Sequence, residues 1–115
     1  MAEEKIYRLI SSIIKHCDII EETKIAFGDN YKSFEENIIY QNALLTPITQ
    51  IGELVKRIPE EFRLKYQQIP WKNIAGMRDI IVHGYETIDK VILWDIANNE
   101  TQKLKSFCVK IKEKL

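Results

Sequence analysis

The sequence predicts an all-α protein, a four-helix up-down bundle with one additional short helix. Three observations predict it. Apolar residues recur at three- and four-residue spacing over long stretches, so each stretch has one buried helical face. No run alternates apolar and polar residues with the period of a strand. Gly28, Pro59, Pro70 and Gly84 fall between the periodic stretches, where helices stop and start.

The first helix is expected from Glu3 to Phe27, with Ile6, Leu9, Ile10, Ile13, Ile14, Cys17 and Ile20 on its buried stripe. Gly28 stops it, and Asp29-Asn30 make the turn. Ser33 and Glu36 have the spacing of a capping box, which predicts a second helix from Phe34 to about Ile58. Its inner face takes Phe34, Ile38, Leu44, Leu45, Ile48, Ile51, Leu54, Val55 and Ile58. Pro47 lies inside it and predicts a kink or break near Thr46. Gly52, also interior, is expected at a close helix crossing.

Pro59-Glu60-Glu61 opens a short helix to about Tyr66, its acids at the positive end. Pro70 then opens the central helix, with Ile74, Met77, Ile80 and Ile81 on one apolar face and Val82 widening it. Gly84 is its natural stop. Asp89 is placed to cap a last helix from Lys90 to about Lys114. Its stripe is Val91, Trp94, Ala97, Thr101, Leu104, Phe107, Cys108, Ile111 and Leu115.

A chain of 115 residues is expected to form a single domain, 1–115, with its own core. Seventeen basic residues cancel seventeen acidic ones, so contact with a nucleic acid has to be local rather than a broad basic face. Cys17 and Cys108 stand far apart outside any paired motif, and read as two reduced, mostly buried thiols of a cytoplasmic protein; a bridge between the first and last helices stays open but is not indicated. No window approaches the roughly 18 apolar residues of a membrane span. His16 and His83 are distant from each other and neither has carboxylates at ligand spacing, so no metal site is expected. His16 next to Cys17 is not a dyad, because helix neighbours point about 100° apart.

The chemistry concentrates at the end of the central helix, where Arg78, His83 and Tyr85 cluster. Histidine titrates near cell pH and can act as acid or base. Arginine's planar fork matches phosphate oxygens and stabilises charge that grows in a transition state. Cleavage of RNA by its own 2′-hydroxyl needs those functions and no metal. Residues 78 and 83 are about 140° apart around a straight helix. They converge only if the helix end loosens near Gly84 or if two copies of the chain meet. The purely structural alternative gives Arg78 an ion pair, lets His83 cap helix carbonyls and packs Tyr85.

Arg78-Asp79-Ile80-Ile81-Val82-His83, with Tyr85, resembles the R-x4-H-x-Y signature of the HepT-like branch of HEPN domains. Gln50-Ile51-Gly52-Glu53, Pro70-Trp71, Gly76-Met77, and Ile88-Asp89 followed by Trp94 also resemble that branch. The resemblance covers most of the chain from about Asn42 onward. It implies a HEPN-like fold and a metal-independent ribonuclease toxin of a type II toxin–antitoxin pair, with no cofactor. It implies a homodimer whose two motifs share one cleft, with RNA as substrate. The implied partner is an MntA-like nucleotidyltransferase antitoxin that attaches AMP from ATP to a tyrosine. Carried over by residue, Arg78 holds the phosphate, His83 is the general acid/base, Asp79 supports them and Tyr85 accepts AMP. Asparagine is common at the position of Asp79. The alternative is a non-catalytic HEPN subunit that binds a nucleotidyltransferase or a nucleotide.

Overall fold

The computed structural model describes the backbone of residues 2–83 and 89–115, and the side chains of residues 3–77 and 89–115. Among the described residues every regular element is helical: α1 (Ala2–Phe27), α2 (Tyr31–Glu35), α3 (Ile38–Lys56), α4 (Glu60–Lys65), α5 (Trp71–His83), α6 (Lys90–Asp95) and α7 (Thr101–Lys114). A π-turn, Ile96–Glu100, joins α6 to α7. The expected bundle is therefore present, with α1, α3, α5 and the α6–α7 rod as its long members. The architecture holds two short helices, α2 and α4, where one was expected.

The core is one connected set of buried side chains from all of these elements except the π-turn's exposed side. Helix α3 packs against both α1 and α5, and α1 also packs against α7. The α1 stripe is buried as its spacing requires, with Ile10, Ile13 and Ile20 fully enclosed and Ile14 partly so. Lys105 on α7 adds a polar tie, its Nζ 2.7 Å from Asp18 Oδ1 and 3.2 Å from Glu21 Oε2 on α1.

Gly28 ends α1 at φ 108°, a left-handed conformation that glycine reaches without strain. The capping box expected at Ser33 is replaced by two asparagine caps. Asn30 Oδ1 accepts from the Ser33 amide at 2.9 Å and starts α2. Asn37 Oδ1 accepts from the amides of Ile39 and Tyr40 at 2.9 and 3.2 Å and starts α3. The stretch around Glu36 is thus a break between helices rather than a helix interior. Asparagine wins because its short amide reaches the free N–H groups while its backbone stays extended. The break turns Ile38 outward, at 70% exposure, contrary to its expected place in the core.

Helix α3 continues through Pro47, so of the expected kink or break the break is absent. Proline removes one ladder bond at a cost of about 3 kcal/mol. Leu44, Leu45, Ile48 and Ile51 are buried on the same turns, and their burial offsets that cost. The hydroxyls of Thr46 and Thr49 donate to the carbonyls of Asn42 and Leu45 on either side of the proline. Gly52 is buried on the same helix.

Asp89 caps α6 as expected, Oδ1 accepting from the Val91 and Ile92 amides at 2.8 and 3.4 Å. The π-turn then shifts the register. Leu93, Ile96 and Ala97 face the core, while Val91 is 61% exposed and Leu115 lies at the surface, both contrary to the expected stripe. The wider turn is held by side chains: Asn98 Nδ2 donates to the Trp94 carbonyl at 2.8 Å, and Thr101 Oγ1 to that of Ala97 at 2.9 Å.

Candidate functional site

The motif stands on α5, and the start of that helix is firmly anchored. Pro70 precedes it, and its carbonyl accepts the Ile74 amide at 3.1 Å. Trp71 is buried, and its indole N–H donates to the Tyr66 carbonyl at 3.0 Å. Ile74 and Met77 are buried one turn apart, on a helix whose neighbour is α3. Burying such side chains contributes roughly 1.5–3 kcal/mol each.

Helical backbone continues through His83, so positions 78 and 83 belong to one regular helix. Their angular separation around its axis is then about 140°. The side chains of Arg78, Asp79 and His83 lie outside the described residues, as does Tyr85 entirely and the expected stop at Gly84. Helix α6 follows in the chain and is tied to the α2–α3 region. Lys90 Nζ donates to the Glu35 carbonyl at 3.4 Å, next to the break between α2 and α3. Trp94 packs in an aromatic cluster with Phe34, its ring centroid 5.1 Å away, and with Tyr31 and Tyr40. The Tyr40 hydroxyl donates to the Gly28 carbonyl at 3.1 Å, tying that cluster to the end of α1. Burial pushes the Tyr40 hydroxyl up to about 12.

Gly76 stands half-buried two positions before Arg78. A Cβ built there meets none of the described residues within 4 Å. Packing among the described residues therefore does not require glycine at that position.

Residues 13–111 match the family model described as Ribonuclease HepT-like. The chain belongs to this ribonuclease HepT-like family. A Caldanaerobacter subterraneus subsp. tengcongensis protein named "Putative RNase TTE0752" is 33% identical, over 91% of this chain and 92% of its own length. One from Thermococcus cleftensis, named "Probable ribonuclease HepT", is 29% identical, over 85% of this chain and 96% of its own. A Methanocaldococcus jannaschii protein named "Gamma-glutamylcyclotransferase and putative RNase MJ0434" is 38% identical over 96% of this chain. The chain spans only 48% of the length of that last relative. No solved structure matches the chain. The matched span of this HepT-like chain includes Arg78, His83 and Tyr85, and all of α3, α4, α5 and α6.

Other titratable groups are spent on structure. Cys17 on α1 and Cys108 on α7 are buried free thiols. Desolvation pushes both up to about 12, so neither is a thiolate nucleophile. His16 is part-buried, its Nδ1 without a partner, and burial lowers its pKa. Among the described residues no three His, Cys, Asp or Glu side chains come together as metal ligands. No described helix is long and apolar enough to cross a membrane.

A second feature escaped the sequence reading. Between α4 and the start of α5 lies an open groove of about 490 Å³. Two cations line it, Arg63 and Lys72. Arg63 Nε is shut from solvent and has no hydrogen-bond partner, which costs about 1–3 kcal/mol. Lys72 sits in the first turn of α5, where a positive charge opposes the helix dipole. That misplaced lysine was the available sequence signal.

Proposed function

We propose that this HepT-like protein is a metal-independent endoribonuclease that works as a homodimer. One observation carries the reading: positions 78 and 83 ride on one anchored helix, inside the span that matches the Ribonuclease HepT-like model. In this reading Arg78 holds the scissile phosphate and His83 moves protons. The 2′-oxygen attacks phosphorus after giving its proton to one imidazole. The 5′-oxygen leaves with a proton from the other, and a 2′,3′-cyclic phosphate remains. Asp79 supports the pair. The roughly 140° between positions 78 and 83 is met by two copies, each lending an arginine or histidine to one cleft. Ile38 and Ile39 at the start of α3, and Val91 and Ile92 at the start of α6, are exposed apolar residues of the kind that a second copy would cover.

The same reading makes the protein the toxin of a type II pair in the cytoplasm. The Tyr85 oxygen attacks the α-phosphorus of ATP on a nucleotidyltransferase antitoxin, and pyrophosphate leaves. The added nucleotide brings bulk and negative charge two residues from His83, which repels an RNA backbone. A second reading, a non-catalytic subunit that binds the nucleotidyltransferase, is favoured by the balance of seventeen basic and seventeen acidic residues. Expression separates the two. Growth arrest that Arg78→Ala and His83→Ala both abolish supports the nuclease; arrest that survives either change, or no arrest without the antitoxin, supports the subunit.

A further inference from the structure

We propose that the groove between α4 and the start of α5 is a subsite for single-stranded RNA, holding a nucleotide a few positions from the bond that is cut. This rests on the ribonuclease reading above and adds to it where the strand lies. Four observations point the same way. The groove, at about 490 Å³, is large enough for a nucleotide. Leu64, 58% exposed, and Pro70 give it an apolar wall against which a flat base can lie. Arg63 and Lys72 line it without a carboxylate partner among the described residues. Arg63 Nε has no hydrogen-bond acceptor among the described residues, and the groove runs along the same side chain.

The single acid on the groove, Glu60, sits in the first turn of α4, where that helix's positive end favours it. The positive end of α5 adds to the attraction for a phosphate beside Lys72. Position relative to the motif also fits. Lys72 and His83 are eleven residues apart on one helix, about 16 Å at a rise of about 1.5 Å per residue. A strand laid along α5 reaches both. Stacking on apolar walls and phosphate contacts with free cations tolerate any sequence, as in other single-strand grooves. An overall neutral protein thereby gains local affinity for RNA.

The test uses the full chain with His83→Ala, so that RNA survives, and a fluorescein-labelled 12-nucleotide single-stranded RNA in EDTA. Anisotropy is read across a salt series. Arg63→Ala with Lys72→Ala is expected to weaken binding about tenfold or more. The log–log salt slope should fall by about 1.4, at about 0.7 per phosphate contact. Lys15→Ala with Lys110→Ala removes the same charge from α1 and α7 and should change neither by as much. Should the Arg63 variant unfold in a melting control, Lys72→Glu and Leu64→Ala, both at exposed positions, carry the test. Equal losses in the two charge-matched pairs, or unchanged RNA affinity with lost binding to a protein partner, overturn the subsite. Cleavage by the parent protein is followed alongside. A cleaving parent with no effect at the groove refutes the subsite alone, and a non-cleaving parent that binds RNA through the groove refutes the nuclease alone.

Discussion

The indole N–H of Trp71 donates to the Tyr66 carbonyl at 3.0 Å, which joins the first residue of α5 to the end of α4. Tyr66 is also the capping residue of α4, and its ring lies 4.9 Å from that of Phe62. The corner that starts the motif helix is therefore fixed by this bond, by the backbone bonds from the Ile69 amide to the Tyr66 carbonyl and from the Trp71 amide to the Ile69 carbonyl, and by two packed aromatic side chains. Trp71→Phe keeps most of the packing and removes one of the two hydrogen bonds that the Tyr66 carbonyl accepts, the other coming from the Ile69 amide at 3.1 Å. It should destabilise by about 1 kcal/mol, and Trp71→Ala by roughly 3–5 kcal/mol, as read by urea unfolding.

Caps decide where α3 begins. Asn37→Ala removes the acceptor for two amides and should cost about 1 kcal/mol. Ser33→Ala, at the position whose spacing suggests a capping box, should cost only a few tenths. The reverse order in chemical denaturation would restore Ser33 as the cap.

Gly76→Ala should stabilise the chain by about 0.5–1 kcal/mol, because helix propensity improves and the new methyl meets open space. A loss of stability in thermal unfolding would mean that a neighbour, within the chain or from a second copy, occupies that space. A stabilised variant with reduced RNA cleavage would place substrate there instead.

The buried thiols make stability fall in alkali. Cys17 and Cys108 are raised from 9.0 to about 12 by desolvation, so the unfolded chain releases these protons first. Their contribution is complete below pH 9 and is lost as pH rises toward about 12. Between pH 8 and 10.5 the loss should be on the order of 1–2 kcal/mol per thiol. Tyr40, also raised to about 12, adds in the same direction. Urea titrations at the two pH values check this; a Cys17→Ala/Cys108→Ala variant should show a clearly flatter dependence.

Much of this fold was legible because helical periodicity is a strong signal over long stretches. The α1 stripe and the Asp89 cap follow directly from residue spacing. The misreadings have local causes. Ser33 and Glu36 match a capping pattern, but Asn30 takes the Ser33 amide and Asn37 caps a new helix at the amides of Ile39 and Tyr40. Pro47 predicts a kink or a break; the break is absent, because its neighbours are buried deeply enough to carry the helix through. The π-turn at Ile96–Glu100 adds a residue to one turn, which no periodicity argument anticipates, and moves Leu93 inward and Val91 outward. At the site, the motif could be read from residue types alone, and the family match includes it. The groove could not, because it forms where two helices meet, and Lys72 against the dipole was its single local trace.

The most direct measurement is RNA cleavage in EDTA by protein free of AMP, with the product ends identified. The account predicts 2′,3′-cyclic phosphate ends, with cleavage lowered about a hundredfold or more by Arg78→Ala and by His83→Ala in folded protein. Unchanged cleavage in folded His83→Ala, or cleavage that vanishes in EDTA and returns with a divalent metal, would contradict it.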